Sequence, residues 1–110
     1  MVALADIEAY AHEIARRFKP KRIILFGSYT DGEPDDHSDV DLLVVIADGG
    51  DPLGKAMEIS RAFPHYGFAL DLIVRDPDVL QRRIEQHDWF LIEITEKGRV
   101  LYEAQRRRVG

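Results

Sequence analysis

Two aspartates, Asp39 and Asp41, stand at the head of an apolar run, Val40 and Leu42 to Ile46. Few folds tolerate that arrangement without a use for it. The run reads as a strand, because it is dense in β-branched and other apolar residues and its flanks are rich in turn formers. An earlier apolar run, Ile23-Ile24-Leu25-Phe26, reads as a strand too and stops at Gly27-Ser28. Between the two lies a polar linker, residues 29–38, with Gly32 and Pro34 in it. Side chains alternate along a strand, so Asp39 and Asp41 share a face, about 6.5–7 Å apart at Cα. Val40, Leu42, Val44 and Ile46 take the other face, which suits a core.

Two carboxylates on one face repel each other unless a proton or a cation lies between them. A hard divalent ion such as Mg²⁺ takes oxygen ligands and commonly binds through one or two carboxylates plus the phosphates of a substrate. The Gly-Ser pair supplies the complementary part. Glycine lets a phosphate approach the backbone closely, and the Ser28 hydroxyl and nearby N–H groups can donate to it. A third acid, Asp71, lies inside another apolar strand, Phe68-Ala69-Leu70-Asp71-Leu72-Ile73-Val74.

Gly27-Ser28, ten residues, then Asp39-x-Asp41, with Asp71 on a later strand, resembles the signature of the DNA-polymerase-beta-type nucleotidyltransferase superfamily. The short chain is similar to the minimal nucleotidyltransferases in particular, and the resemblance runs from about Lys21 to Tyr102. It implies a two-layer α+β nucleotidyltransferase fold: a small mixed sheet with helices packed mainly on one face. It implies one or two Mg²⁺ ions held by Asp39, Asp41 and Asp71, an NTP such as ATP, and terminal phosphates held by Gly27 and Ser28. By resemblance the partner is a helical HEPN-type ribonuclease toxin. The chain would act as its antitoxin, transferring AMP to a tyrosine. Many minimal members are similar to one another in carrying Arg in the turn after Gly-Ser. Here Tyr29, Thr30 and Asp31 stand there, leaving Lys55, Arg61 or Arg75 as candidate substitutes. That departure keeps open a non-catalytic antitoxin that works by masking its partner. A third reading is the catalytic subunit of a two-component small-molecule nucleotidyltransferase.

The bulk numbers bound these readings. A chain of 110 residues, 45% apolar and 32% charged, fits one soluble globular domain spanning 1–110. No apolar run approaches the ~20 residues that cross a bilayer. No Cys is present, which excludes disulfides and thiolate metal sites and fits a cytoplasmic address. A net charge of −5 argues against a long nucleic-acid track. His12, His37, His65 and His87 are scattered, with no paired-His zinc spacing. His37 is close to Asp39, and a loop His is ordinarily exposed.

Elsewhere, periodicity predicts a helix from Leu4 to Phe18 with a stripe of Leu4, Ile7, Tyr10, Ala11, Ile14, Ala15 and Phe18, stopped by Pro20. It predicts another from Leu53 to Phe63 with Leu53, Ala56, Met57, Ser60 and Phe63 inward. The third strand is expected over about 67–74. Asp76-Pro77 is a helix start with Asp as N-cap, and that helix is expected to reach His87. A further helical piece over 88–96 ends at Gly98. Its Trp89, Phe90, Ile92 and Ile94 exceed what one buried stripe needs, so part of the surplus is a candidate partner surface and most belongs in the core. A short strand over 99–102 follows, with Val100 and Tyr102 alternating, and 103–110 is expected to be a flexible tail. Homo- or hetero-oligomers both fit the sequence.

Overall fold

A helix whose apolar residues recur every three or four positions opens the structure: α1, Leu4–Phe18, buries Ile7, Tyr10, Ala11, Ile14 and Ala15. It ends at Lys19, which adopts the left-handed conformation (φ 54°) and donates its N–H to the Ala15 carbonyl. Pro20 follows, where a helix could not continue. The computed structural model describes residues 2–35 and 38–104. The remaining elements are β1 (Arg22–Phe26), α2 (Ser28–Asp31), β2 (Val40–Val45), α3 (Pro52–Ala62), a 3₁₀ turn (Pro64–Tyr66), β3 (Leu70–Arg75), α4 (Pro77–Glu85), α5 (Trp89–Lys97) and β4 (Arg99–Glu103).

The four strands form one mixed sheet in the order β3-β2-β1-β4. β1 is antiparallel to both β2 and β4, and β2 is parallel to β3. The class and the small mixed sheet are those expected from the sequence. Its helices are shared between two faces. The larger core packs Ile23, Leu25, Val40, Leu42 and Val44 of the sheet against α1 and α3. A smaller core packs Ile24, Leu43 and Val45 against Leu80 of α4 and Leu91 and Ile94 of α5. β2 is therefore buried on both sides, which is why its run from Leu42 to Ile46 is continuously apolar. The larger core also holds the ring of Tyr10 edge-on to Phe63, Tyr66 and Phe68.

Three helices start on an aspartate. Asp51, Asp76 and Asp88 accept from the N–H groups of Gly54, Asp78 and Leu91, and Pro52 and Pro77 take the first helical positions. α3 meets its expected stripe only in part, with Ala56 and Phe63 in the core. Ala56 and Ile59 are buried, while Leu53, Met57 and Ser60 are exposed. The fully buried Ile59 sets the helix rotation. β4 breaks the expected alternation. A register shift opposite Ile23 and Ile24 leaves Leu101 unpaired, so Leu101 and Tyr102 both pack on the larger core and Val100 is exposed. Glu103 closes β4, and the Ala104 N–H donates to the Lys21 carbonyl. The rest of the expected tail, 105–110, lies outside the described residues. Among the described residues no helix is long and apolar enough to cross a membrane.

Candidate active site

The register brings the singled-out residues to one end of the sheet. Phe26 of β1 is paired with Asp41 of β2, and Asp41 with Asp71 of β3. Alternation puts these three side chains on the face that further along carries Leu43, Val45 and Ile73 beneath α4 and α5. Asp41 and Asp71 sit level on neighbouring strands, which run about 4.8 Å apart. Asp39 lies two residues before Asp41. It is held there because the Val40 N–H donates to the Ala69 carbonyl at 2.9 Å, tying the head of β2 to the approach of β3. Just upstream, the Asp35 N–H donates to the Ser38 hydroxyl at 3.0 Å. Asp39 and Asp71 are exposed, and Asp41 is half-buried at the rim of the smaller core. His37 lies outside the described residues.

Gly27 closes the site on the β1 side. Its φ of 77° and ψ of −148° belong to a region that L residues rarely adopt. A Cβ there would also collide with the Asp41 Oδ2. The residue is glycine for both reasons, and the Asp41 carboxylate lies against bare backbone. Ser28 then starts α2, a single turn. The Thr30 N–H and hydroxyl both donate to the Gly27 carbonyl, at 3.0 and 2.9 Å, and hold the bend.

The electrostatics follow from the crowding. The Asp41 carboxyl is pushed above the usual carboxylate range, first by burial, then by Asp71, then by Asp39. Among the described residues none of the three acids forms an ion pair. Nor do any three Asp, Glu or His side chains there make a group that could hold a metal ion by itself. The donor set is oxygen only, anionic, uncompensated and open on one side. That fits a hard divalent cation whose coordination is completed by phosphate oxygens.

The three cations considered as partners for phosphate are elsewhere. Lys55 pairs with Glu58 on α3, and Arg61 is exposed on α3, which packs on the opposite face of the sheet. Arg75 is four residues along β3 from Asp71, about 13 Å away. It donates to the Val74 carbonyl. Sequence reasoning missed a cleft of about 220 Å³ beside Gly27. Phe26, Thr30, Phe90, Glu93 and Lys97 line it. Pairing of β1 with β4 brings the end of α5 there, and no local pattern in the sequence announces that contact. A larger cleft, about 660 Å³, lies at the opposite end of β1 and is lined by Lys21, Arg22, Asp78 and Glu103 among others. It contains none of the three acids.

The chain is similar to known proteins in sequence and in fold. The family model described as "Polymerase beta, Nucleotidyltransferase" matches residues 8–107. Two proteins of Methanocaldococcus jannaschii, each named "Putative protein adenylyltransferase", are similar in sequence. One is 33% identical over 88 residues, covering 78% of this chain and 82% of the relative. The other is 29% identical over 100 residues, covering 89% and 97%. Two solved structures share the fold. A toxin-antitoxin with AMP-PNP has a TM-score of 0.56 at 24% identity, over 89% of this chain and 74% of that one. A toxin-antitoxin MntA-HpeT mutant has a TM-score of 0.55 at 22% identity, over the same shares.

Proposed function

The chain belongs to the polymerase beta nucleotidyltransferase family, and from that premise we propose that it transfers AMP from ATP to a hydroxyl of a partner protein. The observation that carries the proposal is the level pairing of Asp41 with Asp71, with Asp39 two residues away and the bare Gly27 backbone against Asp41.

In this reading Asp39 and Asp41 hold Mg²⁺, and Asp71 contributes to a second ion. A divalent ion bound there would offset part of the triphosphate charge and polarise the α-phosphorus. Gly27 admits the terminal phosphates to the backbone, and the Ser28 hydroxyl donates to them. Asp71, exposed at the edge of the trio, orients the acceptor hydroxyl and takes its proton. The acceptor oxygen bonds to the α-phosphorus as the bond to the bridging oxygen breaks, and pyrophosphate leaves. Most of the rate comes from positioning and fixed charge, as in other phosphoryl transfers.

A partner HEPN toxin, modified on tyrosine and thereby neutralised, is the acceptor we favour. Relatives named "Putative protein adenylyltransferase" and a fold shared with toxin-antitoxin structures support a protein acceptor and a toxin partner, while the HEPN type and the tyrosine follow from the family resemblance alone. The competing reading, an antitoxin that only masks its partner, draws on Trp89 and Phe90, 72% and 52% exposed at the start of α5. The acid trio counts against it, because a masking surface has no need of adjacent uncompensated carboxylates. The test is mass spectrometry of a helical partner after incubation with this chain, Mg²⁺ and ATP. An added AMP that disappears with Asp39→Ala/Asp41→Ala is expected. A stable complex with no added mass would replace catalysis with masking.

A further inference from the structure

A triphosphate carries about four negative charges, and here it must settle beside three aspartates in a chain whose net charge is −5. The turn that follows Gly27-Ser28 offers no cation, since it reads Tyr29-Thr30-Asp31. Lys55, Arg61 and Arg75 are on the wrong face or at the wrong end. Arg99 is near Gly27 in the register, opposite Leu25, but it turns to the α1 side, where it meets Glu8 at 3.7 Å. Lys97 remains. It occupies the last position of α5, immediately before Gly98, and lines the cleft that Gly27 and Thr30 also line. We propose that Lys97 is the terminal-phosphate ligand of this site, supplied from the end of α5 instead of from the turn after Gly27.

The proposal rests on the nucleotidyltransferase reading above and adds to it the cation that the reading lacks. The local chemistry supports it. Lys97 is 71% exposed and pairs at 3.7 Å with Glu93, one turn back on α5. That contact is a solvated helix pair of small strength, so a phosphate can take the ammonium from Glu93. Phe26 and Phe90, edge-on with centroids 5.9 Å apart, wall the cleft. Gly98 keeps the end of α5 close to β1. A side chain there would collide with Ile24 and with the Ile94 carbonyl, so the position of Lys97 relative to Gly27 is fixed by packing.

The proposal predicts a dependence on the number of phosphates, read by calorimetric titration of the full chain with ATP and with AMP in the presence of Mg²⁺. Lys97→Met should weaken ATP binding about tenfold, as loss of a hydrogen bond to a charged group does, and leave AMP binding unchanged. Lys97→Arg should keep most of the ATP affinity. Glu93→Gln should tighten ATP binding, because it removes the competitor for the ammonium. Lys97→Met binding ATP as the wild type does would overturn the proposal and leave the nucleotidyltransferase reading standing. Equal loss for AMP and ATP would also overturn it, because the cleft would then hold the nucleoside. A wild-type chain that binds neither nucleotide defeats the underlying reading instead.

Discussion

At the scale of the residue, Asp41 bears the strain of the site. Its carboxyl is raised because burial and two like charges disfavour the ionised form. A carboxyl whose folded pKa exceeds its unfolded value binds its proton more tightly in the native state. Stability therefore falls as pH rises from the ordinary aspartate value of 3.8 through the raised value, and the penalty is fully present above it. Asp41→Asn removes the charge and keeps the size. The metal-free variant should melt at a higher temperature than the wild type at pH 7, and the gain should vanish below pH 3.8. An unchanged or lower melting temperature at pH 7 would show that the crowding costs nothing. The acids were legible in the sequence because a strand has a period of two, and Asp39 and Asp41 interrupt an apolar run at that spacing. The family resemblance put Asp71 with them, but its level pairing with Asp41 was not legible. It depends on a parallel register between strands thirty residues apart, which local pattern does not encode.

At the scale of the element, β2 shows what one strand's pattern conveys and omits. Alternation identified Val40, Leu42, Val44 and Ile46 as a core face. It was silent on whether Leu43 and Val45 were covered, since covering them requires α4 and α5 to return across the sheet. Both are buried. Leu43→Ala should therefore cost about as much as Leu42→Ala, roughly 2–5 kcal/mol each, measured by urea unfolding. A Leu43→Ala loss well under 1 kcal/mol would mean that α4 and α5 do not seal that face. The same limit explains α3, where two apolar stripes a fraction of a turn apart were available. Ile59, rather than Leu53 and Met57, found the sheet. It also explains Lys97, whose place beside Gly27 is made by β1 pairing with β4 and by the tight packing of Gly98.

At the scale of the whole molecule, the balance of charge decides how a nucleotide can enter. A chain with a net charge of −5 and three acids at one sheet end repels a free triphosphate. Lys97 offsets one charge and cannot offset the rest. The cation must then arrive with the nucleotide or before it, and binding should be linked to divalent metal. A ligand that binds only the native state stabilises it by RT ln(1 + [L]/Kd), about 2.7 kcal/mol at a hundredfold excess over Kd. For a chain of this size that corresponds to a rise in melting temperature of about 10 °C or more. ATP with EDTA should give almost none of this shift, and Mg²⁺ with ATP most of it. The Asp39→Ala/Asp41→Ala variant should lose the Mg²⁺-dependent part while folding normally, because removing two crowded carboxylates relieves repulsion. If ATP alone stabilised the wild type as much as Mg²⁺ with ATP, the carboxylates would not be metal ligands. The negative end of the sheet would then need another explanation.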